Sequence, residues 1–87
     1  MKSNVKYKGN LNAIGKDIRK YRKKLNLTQP QICNQMQLLG IDMTISILNK
    51  IETGKRVIKE FELAGFSKIF GVSADELLKN CLDELSK

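Results

Sequence analysis

The sequence predicts an all-α domain of five short helices. Apolar residues recur at spacings of three and four, and hydroxyl residues that suit helix N-caps stand at Thr28, Thr44 and Ser73. No run of consecutive apolar residues is longer than two. That count argues against buried parallel strands, which appear as continuous apolar runs. It also argues against a spanning helix, which needs about 20 apolar residues. Eighty-seven residues make one domain with a modest core.

Residues 1–10 are polar, rich in lysine and without periodicity, so they read as a flexible basic arm ahead of a single domain over 11–87. Asn10 or Asn12 is placed to cap the first helix, in which Ile14, Ile18, Tyr21 and Leu25 form the apolar stripe. Lys16, Arg19, Lys20 and Lys23 make its other face basic, and Lys23 and Lys24 complement the dipole at its end. Thr28 caps a second helix with Pro30 in its first turn. Ile32, Met36 and Leu39 are its stripe, Cys33 lies beside it, and Gly40 ends it. After the turn 40–44, Thr44 caps a third helix over 45–53 with Leu48 and Ile51 inward. A fourth helix over 59–70 uses Phe61, Leu63, Phe66, Ile69 and Phe70 for the core, and Gly65 permits close approach of a neighbour. Lys59 stands where a capping hydroxyl is common, so this helix starts without a conventional cap. Ser73 to Glu76 matches a capping box and opens the fifth helix over 73–86. Its stripe is Ala74, Leu77, Leu78, Cys81, Leu82 and Leu85.

The chain has no His and two distant cysteines, Cys33 and Cys81. Zinc sites of the usual Cys/His types, His-based triads and a disulfide-dense scaffold are thereby excluded. The expectation is therefore no catalytic residue, no metal and no cofactor, with both thiols as reduced packing groups of a cytoplasmic protein. The net charge is +7 and the isoelectric point near 9.6, which calls for a polyanion, either nucleic acid or an acidic membrane surface. The charge is uneven. Residues 1–28 hold nine Lys/Arg against one Asp, and residues 29–87 hold seven against eight acids.

Three stretches carry a resemblance: IGKDIRKYRKKLNLTQ at 14–29, ILNKIETGKR at 47–56 and FELAGFSKIFGVSADELL at 61–78. In this order and at this spacing the chain resembles the phage-repressor-like helix-turn-helix proteins of the Cro/repressor, or xenobiotic-response-element, type. Gly40-Ile41-Asp42 is similar to a variant with a longer turn. The resemblance implies a lambda-repressor-like DNA-binding domain whose third helix lies in the major groove of double-stranded DNA. Base reading then falls to Ile45, Ser46, Asn49 and Lys50. Phosphate binding falls to Lys20, Arg22, Lys23, Gln29, Thr44, Lys55 and Arg56, with Arg22 and Glu52 tying the first helix to the third. That reading face lacks the Arg or Gln pairs that address guanine or adenine with two hydrogen bonds, which leaves Lys50 for guanine acceptors and Asn49 for adenine. Ile45 either meets a thymine methyl or is covered by the longer turn.

The implied function is a sequence-specific transcriptional regulator, a repressor, with no enzymatic step and no membrane partner. Leu78, Cys81, Leu82 and Leu85 either cap the monomer core or pair with a second copy, and homodimerisation is favoured because operators carry two half-sites about 34 Å apart. Lys2, Lys6, Tyr7 and Lys8 are either a disordered tail or a minor-groove arm. Two other readings remain. One is an antitoxin-type autorepressor of a two-gene module, with a toxin as protein partner; RNA polymerase is another such partner. The other is an interaction adaptor that kept the fold without DNA recognition.

Overall fold

A computed structural model describes residues 7–86. Its helices are α1 (Gly15–Lys24), α2 (Gln29–Leu38), α3 (Ile45–Glu52), α4 (Glu60–Phe70) and α5 (Ala74–Leu85). Each starts or ends within two residues of the expected position. Local chemistry explains why. The Thr28 hydroxyl accepts from the Gln31 amide at 3.2 Å and the Gln31 side chain accepts from the Thr28 amide at 2.8 Å, a complete capping box on α2. The box expected on α5 is half present: Ser73 accepts from the Glu76 amide. Gly40, at φ +81°, ends α2, where the left-handed conformation excludes most side chains.

The first helix differs in its cap. Ile14 occupies the N-cap position, and Asn12 serves it from two residues earlier. The Asn12 Oδ1 accepts from the amides of Ile14 and Gly15, while its Nδ2 donates to the carbonyls of Ile51 and Arg56. One side chain thus caps α1 and fastens it to the far end of α3. Residues 7–10 are not a free arm. Tyr7 and Asn10 pair in a tight turn, the Tyr7 hydroxyl donates to Glu84 on α5, Lys8 pairs with the same carboxylate, and the Leu11 amide donates to Gly54. Residues 1–6, with Lys2 and Lys6, lie outside the described residues.

The core is one cluster drawn from every helix: Ile14, Ile18, Ile32, Cys33, Met36, Met43, Leu48, Ile51, Phe66, Phe70 and Leu77. Met43, in the turn before α3, is 1% exposed and pins that turn to the core. Gly65 lies where a Cβ would come within 2.7 Å of Ile41 and 2.8 Å of Met36, so its absence lets α4 approach α2 closely. Tyr21 stacks on Phe70, which stacks on Phe66.

Three apolar residues expected inside are outside. Phe61 is 52% exposed, beneath the Lys59 ammonium. Leu39 stands at the end of α2 and is exposed because the chain leaves the core there. Leu25 is likewise exposed, past the end of α1. In place of Phe61, α4 buries Glu62. Its carboxylate accepts from the Lys59 amide at 2.9 Å, capping the helix from within, and holds both terminal nitrogens of Arg56 at 2.8 and 3.0 Å. The uncapped start expected from Lys59 is closed this way.

Burial pushes the Glu62 carboxyl up, but hydrogen bonds from Arg56 and Lys59 and the charges of both outweigh it and hold the group below its ordinary value. A depressed folded-state value gives stability that is present above the unfolded value of about 4.3 and is lost as pH falls through the folded value. Glu62→Gln is therefore expected to lower stability at pH 7 by about 1.5–3 kcal/mol. It should also flatten the loss below about pH 4.3. Urea midpoints taken from pH 7 down to pH 3 measure both effects.

Candidate nucleic-acid interface

The helix pair α2–α3 presents one row of side chains that the core does not use. Leu48 and Ile51 are fully buried and Ile47 is half-buried, which fixes the rotation of α3. Ile45, Ser46, Asn49 and Lys50 are all exposed on the opposite side. Thr44 caps the helix, its hydroxyl accepting from the Ile47 amide at 3.1 Å and keeping its own proton free to donate. Gln37 donates from Nε2 to the Met43 carbonyl at 3.1 Å, so the longer turn is tied back to α2. Four residues expected to read bases therefore share one exposed face.

Arg22 and Glu52 form a two-pronged pair. Nε donates to Oε2 at 2.7 Å and Nη2 to Oε1 at 3.0 Å. Nη1 donates to the Leu27 carbonyl at 3.1 Å, and the Gln29 amide side chain reaches Glu52 at 3.3 Å. The side chains of Arg22 and Glu52 are only 11% and 2% exposed. The hydrogen bond to Glu52 raises the Arg22 pKa against the opposing effect of burial. Arg22 therefore sits inside the fold as a fixed link between α1 and α3, and not on the surface as a free phosphate ligand.

The other expected phosphate ligands separate by position. Gln29 is the first residue of α2. Pro30 has no N–H and the Gln31 amide is taken by Thr28, so the Gln29 backbone amide and side chain are the donors this helix end offers. Lys55 is exposed beyond α3, whereas Arg56 is engaged with Glu62 and with the Val57 carbonyl. Lys23 is exposed. Lys20 faces away from α3, into a cleft of about 190 Å³ between α1 and α5 lined also by Asp17, Tyr21, Lys24, Glu76, Lys79 and Asn80.

The basic face of α1 is thus two faces. Gly15 and Arg22 meet α3, and Arg19 lies four residues after the first and three before the second, on that same flank. Arg19 is exposed. In sequence it is one basic residue among several on α1. Its spacing from Arg22 and Lys23 was the signal, and it became decisive only once Arg22 was seen to face α3.

The four residues expected at a dimer contact also divide. Leu82 and Leu85 are 48% and 68% exposed. Leu78 lines an apolar cleft of about 340 Å³ with Leu11, Val57 and Leu63. Cys81 faces elsewhere, into a recess with Tyr7, Lys8 and Glu84. Burial pushes the Cys33 thiol pKa up, away from reactivity at neutral pH. Among the described residues no group of three or more His, Cys, Asp or Glu side chains could hold a metal ion. No described helix is long and apolar enough to cross a membrane.

A family model described as a helix-turn-helix domain matches residues 15–81. No curated protein and no solved structure gave a match.

Proposed function

Since the chain belongs to the helix-turn-helix domain family, which makes it a DNA-binding regulator in kind, we propose that it is a sequence-specific transcriptional repressor of the Cro/repressor type, cytoplasmic and acting as a homodimer. The exposed row Ile45, Ser46, Asn49 and Lys50, held at a fixed rotation by Leu48 and Ile51, is the observation that carries this reading. A major groove about 12 Å wide accepts one such helix. Arg19, Lys23 and Lys55, with both amides of Gln29 and the Thr44 hydroxyl, hold the flanking phosphates. Arg22 and Glu52 keep α1 and α3 in register so that these contacts fall on one backbone. The regulator acts without chemistry, by occupying an operator and excluding polymerase. Leu82 and Leu85, half-exposed or more, favour pairing with a second copy about a two-fold axis that matches two half-sites.

Fluorescence anisotropy with duplexes selected from a random pool tests this. For four to six phosphate contacts the affinity is expected to fall about 10²- to 10³-fold between 50 and 200 mM salt. Lys50→Ala should relax base preference at one position, whereas Arg19→Ala and Lys23→Ala should weaken all sequences alike. Lys20→Ala, on the α5 flank, is expected to change affinity less than about twofold, because contact with phosphate needs direct reach. No binding to any duplex at low salt defeats the proposal and leaves the adaptor reading in its place.

A further inference from the structure

We propose that Ile45 makes the C5-methyl group of a pyrimidine a specificity-determining group of the bound duplex. This rests on the groove-docking reading of α3 and goes one step further, to the chemistry that is read.

Ile45 is the first residue of α3 and is 50% exposed. The turn does not cover it. Gln37 ties that turn back through the Met43 carbonyl, and the Met43 side chain is itself in the core at 1% exposure. Nor does the fold need Ile45, because Met43, Leu48 and the half-buried Ile47 fill the apolar seats at that end of the helix. An isoleucine there is a large apolar group held in water on the one row that faces outward. Its β-branch leaves one strongly preferred rotamer in a helix, so it presents a fixed methyl surface.

The floor of the major groove is made of hydrogen-bond donors and acceptors, with one apolar group, the thymine C5-methyl. An isoleucine cannot satisfy a donor or an acceptor. The largest apolar contact it can make there is with that methyl. Its neighbours read hydrogen-bonding groups and leave the methyl unread. Ser46 reads any base weakly, Lys50 addresses guanine acceptors, and Asn49, one turn on from Ile45 in the same row, addresses adenine. The methyl contact therefore adds a discrimination that no hydrogen-bonding residue of the row can make.

The group read is the methyl and not the thymine ring, so 5-methylcytosine should serve where thymine does. The experiment takes the best duplex from the selection and measures affinity after changing each thymine in turn to deoxyuridine. One or two positions are expected to lose three- to tenfold. At those positions cytosine should bind less tightly than 5-methylcytosine by the same factor. Ile45→Ala should abolish both differences while melting within a few degrees of the parent, since its side chain is half in water. The inference is overturned if no thymine-to-deoxyuridine change weakens binding, or if Ile45→Ala keeps the difference. Either result leaves DNA binding standing. Failure to bind any duplex removes both readings together.

Discussion

Glu52→Ala is expected to lower the unfolding free energy by about 3–5 kcal/mol. The carboxylate is 2% exposed and holds two nitrogens of an Arg22 side chain that is itself 11% exposed. Deleting it leaves a buried guanidinium with the Leu27 carbonyl as its one remaining acceptor. An arginine cannot escape by losing its proton. A domain of this size has roughly 5–10 kcal/mol of stability in all, so the loss is a large share. It should appear as a fall in melting temperature of more than about 12 °C. A double change, Arg22→Met with Glu52→Leu, should recover most of it, because replacing both partners of a buried pair with apolar groups is often neutral. Urea denaturation of the three proteins decides the matter. A loss under about 1 kcal/mol for Glu52→Ala would mean that the pair behaves as an exposed one.

The second large effect lies at the other end of the same joint. A Cβ on Gly15 would come within 2.0 Å of the Ile51 carbonyl oxygen and 3.0 Å of Asn12 Oδ1. That carbonyl cannot swing away, because it also accepts from the Asn12 side chain at 2.9 Å and the Gly54 amide at 3.1 Å. Gly15→Ala therefore has to separate α1 from α3. The expected loss is at or beyond the upper end of the usual overpacking range of about 1–3 kcal/mol, against a gain of at most about 1 kcal/mol from better helix propensity. Gly65→Ala is the comparison. Its Cβ would meet only the ends of the Ile41 and Met36 side chains, which can turn aside, so its loss should be clearly the smaller. Equal losses would show that the α1–α3 contact is no more rigid than the α2–α4 contact.

Much of the fold was legible because it is set by local chemistry. Thr28, Thr44 and Ser73 cap the helices they were expected to cap. Gly40 ends α2, and the stripes of α2 and α3 bury Ile32, Met36, Leu48 and Ile51. The α4 stripe was less legible. Phe61, Leu63, Phe66, Ile69 and Phe70 spread around more than half the helix, so periodicity leaves its rotation open, and the choice fell to Glu62 and its contact with Arg56. That pair spans a loop and a helix start, where no fixed spacing brings two residues together. It is also why Arg56 is engaged inside the fold while Lys55 next to it is exposed. In the candidate site, the exposed row on α3 follows from helical spacing alone. The split of the basic residues of α1 into a flank toward α3, with Arg19 and Arg22, and a flank toward α5, with Lys20 and Lys24, does not, since both flanks are equally basic in sequence.

The all-α class, the limits of α2, α3 and α5 and the concentration of positive charge in the first 28 residues are legible in the chain alone. These depend on contacts within a turn or two of chain, on caps and on a count of charges. The tertiary structure alone decided which charges are engaged within the fold and which remain for a partner. It buried Arg22 against Glu52 and drew Arg56 to Glu62, turned Lys20 toward α5 and left Ile45 uncovered. The physical reason is that an ion pair or an exposed face depends on where distant elements come to rest against the core. That placement is a property of the packed whole, set here by Gly15, Gly65 and the buried Phe66, and is carried by no single stretch of the chain.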